Sequence, residues 1–227
     1  MSTSNFADAL VAKVREIYCT DQFIPLHAPR LGETEKSYVI DAIDSTFVSS
    51  VGKNVVEFEE AIAKYTGARF AVAVSSGTAA LHVALHAIGV RAGDEVITTP
   101  YTFYATINAI VQADCKPNFV DAGQDFNINP DLIEKSITKK TKAILVVHWS
   151  GRICDMKKIN QIAKKNKLFV IEDACHAALS FKKNKFAGNF GDIGCFSLHP
   201  LKNLNVWGDG GMIVTNNTKI NKKLKLI

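Results

Sequence analysis

Residues 70–89 read FAVAVSSGTAALHVALHAIG. The first five are apolar, two of them β-branched valines, and have the length and composition of a strand. Ser75, Ser76 and Gly77 interrupt the run, and a helical stretch, GTAALHVALHAIG, follows at once. A strand with no polar face must be covered on both sides, as in a parallel sheet whose crossover connections are helices.

Working outward, the same alternation continues toward the C-terminus. EVITTP leads to helix FYATINAIVQAD, KPNFVD leads to helix PDLIEKSI, KAILVVH precedes helix DMKKINQIAKKN, and LFVIED follows. The predicted class is therefore α/β, a mostly parallel sheet sandwiched by helices. After Asp173 the pattern turns strand-rich, with GCFSL and GGMIVTN, and the tail NKKLKLI reads as the start of another helix. On the N-terminal side, residues 1–23 read as an amphipathic helical segment and FIPLHAPRLG as a loop. ETEKSYVIDAIDSTF and NVVEFEEAIAKYTG read as helices, the second ending at Gly67. Residues 24–227 are thus assigned to one large domain.

Composition agrees. A chain of 227 residues that is 47% apolar can bury a substantial core. Its net charge of +5 resides largely on solvated helix faces such as MKKINQIAKKNK, with no basic stripe interleaved with aromatics, so nucleic acid is not an expected partner. No apolar run is long enough to cross a bilayer, and MSTSNFADAL lacks the basic region and apolar core of a signal peptide. Five scattered cysteines (Cys19, Cys115, Cys154, Cys175, Cys195) with no CxxC pair read as reduced thiols, which predicts a cytoplasmic protein. No Cys/His spacing suits zinc, and no metal is expected. GxGxxG after a strand and GxxxxGK[ST] are both absent, which removes the dinucleotide and P-loop readings.

Four places could carry chemistry. At AVSSGTAALH a strand runs directly into a helix, whose first amides, with the hydroxyls of Ser76 and Thr78, suit a phosphate; the same residues also suit an ordinary capped turn. Asp173 ends an apolar strand, where ligands of open α/β sheets gather. A carboxylate there requires a partner, which a cationic heterocycle nitrogen, a metal or an arginine would each supply. His176 lies three residues on, as a ligand contact or a cap. Phe103 or Tyr104 follows a strand end and a proline, placed either over a ligand or in the core. His148 ends AILVVH and is equally open between a structural and a binding role. Finally, Lys202 sits in a short polar bend between HP and NLNVWGDGG. A phosphate cradle, an aromatic, a strand-end Asp and a bend-mounted Lys on one sheet match the needs of pyridoxal phosphate: anchor, stacking surface, pyridine-nitrogen partner and Schiff-base amine.

With SGTAALHVAL, GDEVITTPYTFYATINAI, VHWSGRICDM, IEDACHA and GDIGCFSLHPLKNLNVWGDGGMIVT in order, the chain resembles the DegT/DnrJ/StrS family of sugar aminotransferases. The likeness runs from IPLHAPRLG to about residue 216. It implies the aspartate-aminotransferase-like fold, whose large domain holds a seven-stranded type of sheet, and pyridoxal 5'-phosphate as cofactor. By the resemblance, Lys202 is the Schiff-base lysine, Asp173 partners the pyridine nitrogen and Phe103 stacks on the ring. Gly77 and Thr78 form the phosphate turn, Ser197 also contacts the phosphate, and His176 lies beside the cofactor. A dehydratase branch of the family carries His at the lysine position, so Lys202 points to transamination. The resemblance further implies glutamate as amino donor, a nucleotide-linked keto-deoxysugar as acceptor, and a homodimer. It also implies a smaller C-terminal domain, which these 227 residues do not contain. A pyridoxal phosphate-dependent sugar dehydratase or lyase, and a truncated, cofactor-binding, non-catalytic homologue, are the alternatives.

Overall fold

Runs of β-branched and aliphatic residues such as Ala143–Val147 (AILVV) build the centre of the molecule, seen here in a computed structural model that describes residues 3–25 and 27–227. Met1 and Ser2 of the expected N-terminal helical segment, and Leu26 in the loop after it, lie outside the described residues. Helices α1 (Thr3–Tyr18), α2 (Glu33–Asp44) and α3 (Lys53–Thr66) come first. Then β1 (Phe70–Val74), α4 (Gly77–Ile88), β2 (Glu95–Thr98), α5 (Tyr104–Gln112), β3 (Lys116–Phe119), α6 (Pro130–Ile133), β4 (Thr141–Val147), α7 (Met156–Asn166) and β5 (Phe169–Asp173) alternate. A hairpin of β6 (Phe181–Lys182) and β7 (Lys185–Phe186), strands β8 (Ile193–Ser197) and β9 (Gly211–Thr215), and α8 (Thr218–Leu224) complete the described chain.

Seven of these strands form one sheet in the order β1-β9-β8-β5-β4-β2-β3. β9 alone opposes the others: it pairs antiparallel with β1 and β8, while β8, β5, β4, β2 and β3 pair in parallel. Alternation along β4 divides the core. Ile144 and Val146 join Ile159, Val170 and Phe196 beneath α3 and α7, whereas Leu145 and Val147 join Leu81, Leu85, Ile110 and Ile171 beneath α4 and α5. The expected mostly parallel, helix-covered sheet is therefore present.

The differences are at the ends of elements. The N-terminal helix stops at Tyr18 rather than near residue 23, because Cys19 leaves the helix with φ +49°. α2 ends at Asp44, three residues before Phe47. α3 ends as read, with Gly67 at φ +73° supplying the left-handed cap. Helix α2 buries none of its residues, and Phe6, Leu10, Val11 and Ile17 of α1 stand in solvent with Tyr38, Ile40 and Ile43 of α2. No helix among the described residues is long and apolar enough to cross a membrane.

Candidate functional site

Parallel strands end on one edge of the sheet, so residues far apart in sequence meet there. β1 delivers Ser76, Gly77 and Thr78 to that edge, β5 delivers Asp173, and β8 delivers Ser197. β9 starts from the same edge because it runs backward, so the connection from β8 to β9 must cross it, and Lys202 lies on that connection.

Ser76 caps α4: its Oγ accepts a hydrogen bond from the Ala79 amide at 3.1 Å. That hydroxyl is occupied with its own helix, which leaves Gly77, Thr78 and the positive end of the helix dipole at the cavity wall. Gly77 is required by close approach. A Cβ there would lie 2.6 Å from Ser197 Cβ and 3.0 Å from Cys175 Sγ. Ser197 is 8% exposed, and its Oγ accepts from the His199 amide at 3.4 Å.

The segment carrying Lys202 is folded back on itself. Leu198 and Gly210 bond through N–H and C=O at 2.8 Å, the Val206 amide returns to the Leu198 carbonyl at 2.9 Å, and the Lys202 amide bonds the His199 carbonyl at 2.8 Å. A turn anchored in this way presents the half-buried Lys202 side chain to the sheet edge rather than to bulk solvent.

Asp173 is 6% exposed, and no ion pair among the described residues includes it. Its Oδ2 accepts from Thr106 Oγ1 at 2.7 Å and its Oδ1 from the Cys175 amide at 3.1 Å. A nearly buried carboxylate that lacks a cation and faces a cavity is set up for a cationic ligand atom.

That cavity holds about 420 Å³. Its wall includes all seven residues that the resemblance assigns to the cofactor: Gly77, Thr78, Phe103, Asp173, His176, Ser197 and Lys202. Phe103 sits at the N-cap of α5, 56% exposed, its ring 4.6 Å from that of Tyr104, so both aromatics stand at the mouth and neither is a core residue. His176 packs against Trp149, ring centroids 5.3 Å apart. Burial lowers its pKa, the Lys202 cation lowers it further, and Asp173 opposes both. Burial, reinforced by the Asp173 charge, pushes the Cys175 thiol well above its ordinary value, so it remains protonated.

His148 is not part of the wall. It is wholly buried and bonded to Glu172, on the opposite face of β5 from Asp173. Thr102, Thr106, Cys175, His199 and Asp209 also line the cavity and were not anticipated. One signal for the first two was available: Thr102 and Thr106 are four apart across the start of a predicted helix, hence on one face.

Amides and hydroxyls at one end, a cation-seeking carboxylate, an exposed aromatic and an amine suit a flat, phosphorylated heterocycle bearing a carbonyl. Pyridoxal phosphate meets each requirement.

Residues 29–227 match the family described as DegT/DnrJ/EryC1/StrS aminotransferase. GDP-perosamine synthase of Escherichia coli O157:H7 is 44% identical over 196 residues, 86% of this chain and 54% of that protein. Among solved structures, the aminotransferase from Psychrobacter cryohalolentis aligns with a TM-score of 0.86 and 36% identity over 90% of this chain and 52% of that one. NtdA from Bacillus subtilis, solved with bound cofactor PMP, aligns at 0.76 and 36%, over 86% and 45%. The chain spans about half the length of the curated relatives it matches.

Proposed function

Since the chain belongs to the DegT/DnrJ/EryC1/StrS aminotransferase family, we propose that it is the cofactor-binding part of a pyridoxal phosphate-dependent aminotransferase. Its amino donor is glutamate and its acceptor a nucleotide-linked keto-deoxysugar, a reaction that serves amino-sugar and surface-polysaccharide synthesis in the cytoplasm. One juxtaposition carries the proposal: Gly77, Thr78, Asp173, Ser197 and Lys202, drawn from four separate parts of the sheet edge, line a single cavity. Residues 24–227 then constitute the large domain of the fold.

When bound, pyridoxal phosphate supplies an electrophilic carbon and a conjugated ring that disperses negative charge from the reacting amino acid. The chain's own groups bind and orient. Gly77, Thr78 and Ser197 hold the phosphate at the α4 N-terminus. Asp173, fixed by two hydrogen bonds, keeps a proton on the heterocycle nitrogen by Coulombic attraction. Phe103, exposed on the cavity wall, would stack on the ring. Lys202 would supply the amine that holds the cofactor's carbonyl end, and the same amine would serve as general acid and base for the proton at the donor's Cα. His176, kept neutral by burial and by Lys202, would lie beside the cofactor without competing for the phosphate.

The exposed apolar residues of α1 and α2 support a homodimer in which a second copy covers them. Lysine rather than histidine at position 202 supports transamination over dehydration.

The test is chemical. Incubation with pyridoxal phosphate, reduction with borohydride and peptide mapping should locate the adduct on Lys202, and Lys202→Ala should abolish the visible absorbance of the bound cofactor. An adduct on another lysine, or none, overturns the assignment. Mass spectrometry of products from glutamate and a panel of nucleotide keto-sugars identifies the acceptor.

A further inference from the structure

We infer that Thr106 is a positioning residue for Asp173, and that Thr102 orients Thr106 in turn, so that a two-hydroxyl relay sets the carboxylate that meets the cofactor. The inference rests on the cofactor site proposed above.

The hydrogen-bond chemistry fixes the direction of the relay. Thr106 Oγ1 lies 2.7 Å from Asp173 Oδ2 and 2.8 Å from Thr102 Oγ1. A hydroxyl has one proton to give, and an ionised carboxylate can only accept. Thr106 therefore donates to Asp173, and its own oxygen must accept from Thr102. Thr106 is wholly buried, so its bond to Asp173 is shielded from water, while Thr102 is half-buried at the cavity wall. The second oxygen, Oδ1, is held at 3.1 Å by the Cys175 amide. With both oxygens tied, the carboxylate plane cannot rotate about its Cβ–Cγ bond without breaking a hydrogen bond.

The relay also joins two elements. Asp173 ends β5, while Thr102 and Thr106 flank the start of α5, so the bond crosses from sheet to helix. Phe103 caps the same helix at the cavity mouth. Asp173 and Phe103, both on the cavity wall, are thereby tied to one helix start.

Three variants test this: Thr106→Val, which keeps the shape and removes the donor; Thr106→Ser, which keeps the donor; and Thr102→Val, which removes only the outer link. Each is titrated with pyridoxal phosphate by visible absorbance, and melted without cofactor. Thr106→Val should weaken cofactor affinity about tenfold or more, the usual effect of losing a buried hydrogen bond to a charged group, and should shift the absorbance of the bound cofactor. Thr106→Ser should restore both to within about threefold of wild type, and Thr102→Val should weaken affinity by a smaller factor. A purely structural role would lower the melting temperature and leave the affinity and spectrum of the folded protein unchanged. Unchanged affinity in Thr106→Val, or no rescue by Ser, overturns the relay while wild-type binding keeps the cofactor site intact. If Thr106→Val does not fold, unchanged affinity in Thr102→Val overturns it equally. A wild-type chain that binds no pyridoxal phosphate overturns both.

Discussion

Glu172 Oε2 lies 2.7 Å from His148 Nε2, and neither side chain has any solvent exposure. The pair is completed on every side. His148 Nδ1 accepts from the Cys154 amide at 3.3 Å, so Nε2 carries the proton and donates it to Glu172. Glu172 also accepts from the amides of Gly188 at 2.9 Å and Gly191 at 2.5 Å. One carboxylate therefore ties the ends of β4 and β5 to the loop before β8. Glu172→Ala strands two buried donors, His148 Nε2 and the Gly188 amide, each costing about 1–3 kcal/mol, and frees the half-buried Gly191 amide. Urea unfolding should register a total loss of about 3–5 kcal/mol, and a loss under about 1 kcal/mol would contradict this bracing role.

Gly77→Ala tests the contact between α4 and β8. The new methyl would meet Ser197 Cβ at 2.6 Å and Cys175 Sγ at 3.0 Å, with Ser197 Cα at 3.1 Å. Overpacking of this kind costs about 1–3 kcal/mol. Moving the α4 amides outward would also disturb the proposed phosphate seat. The variant should melt lower and bind pyridoxal phosphate more weakly than wild type; a variant equal in both measurements would show that the contact yields easily.

Why the sheet could be read from sequence, and the relay could not, follows from what each depends on. AILVV and FVIED announce buried strands through their own composition, and a chemically capable residue at the end of such a strand, Asp173 or Ser197, reaches the sheet edge by topology. Lys202 is similar: a bend between β8 and a reversed β9 has nowhere else to pass. The bond from Thr106 to Asp173 spans 67 residues and joins a helix to a strand, so no local pattern encodes it. His148 was placed at the right strand end, but Glu172 was overshadowed by its neighbour Asp173, which points to the opposite face. The β6–β7 hairpin escaped because two-residue strands are too short to alternate. Its turn uses Lys183 and Asn184 at φ +50° and +59°, without a glycine to signal it.

Thiol chemistry distinguishes the cysteines by environment. Cys19 is exposed, Cys115, Cys154 and Cys195 are buried, and Cys175 is half-buried at the cavity. Burial raises Cys154, Cys175 and Cys195 above the ordinary thiol range, which keeps their reactive thiolate scarce. Ellman's reagent should therefore titrate Cys19 quickly and the others only on unfolding. A Cys19→Ser variant that still reacts rapidly would show that the cavity thiol is activated.

His176 gives the pH dependence its sign. Its native pKa is depressed below the ordinary 6.5, first by burial and then by the Lys202 cation, with Asp173 opposing. The fold thus prefers the neutral ring. Its contribution to stability is present above about pH 6.5 and is lost as pH falls through the lowered native value. In the cofactor-free protein, imidazole NMR should give a midpoint below 6.5 for this ring. Lys202→Ala removes the second cause and leaves the first, so the midpoint should rise part of the way and remain below the ordinary value. If the midpoint stays put, Lys202 does not face His176 across the cavity, and the arrangement on which the proposed chemistry depends fails with it.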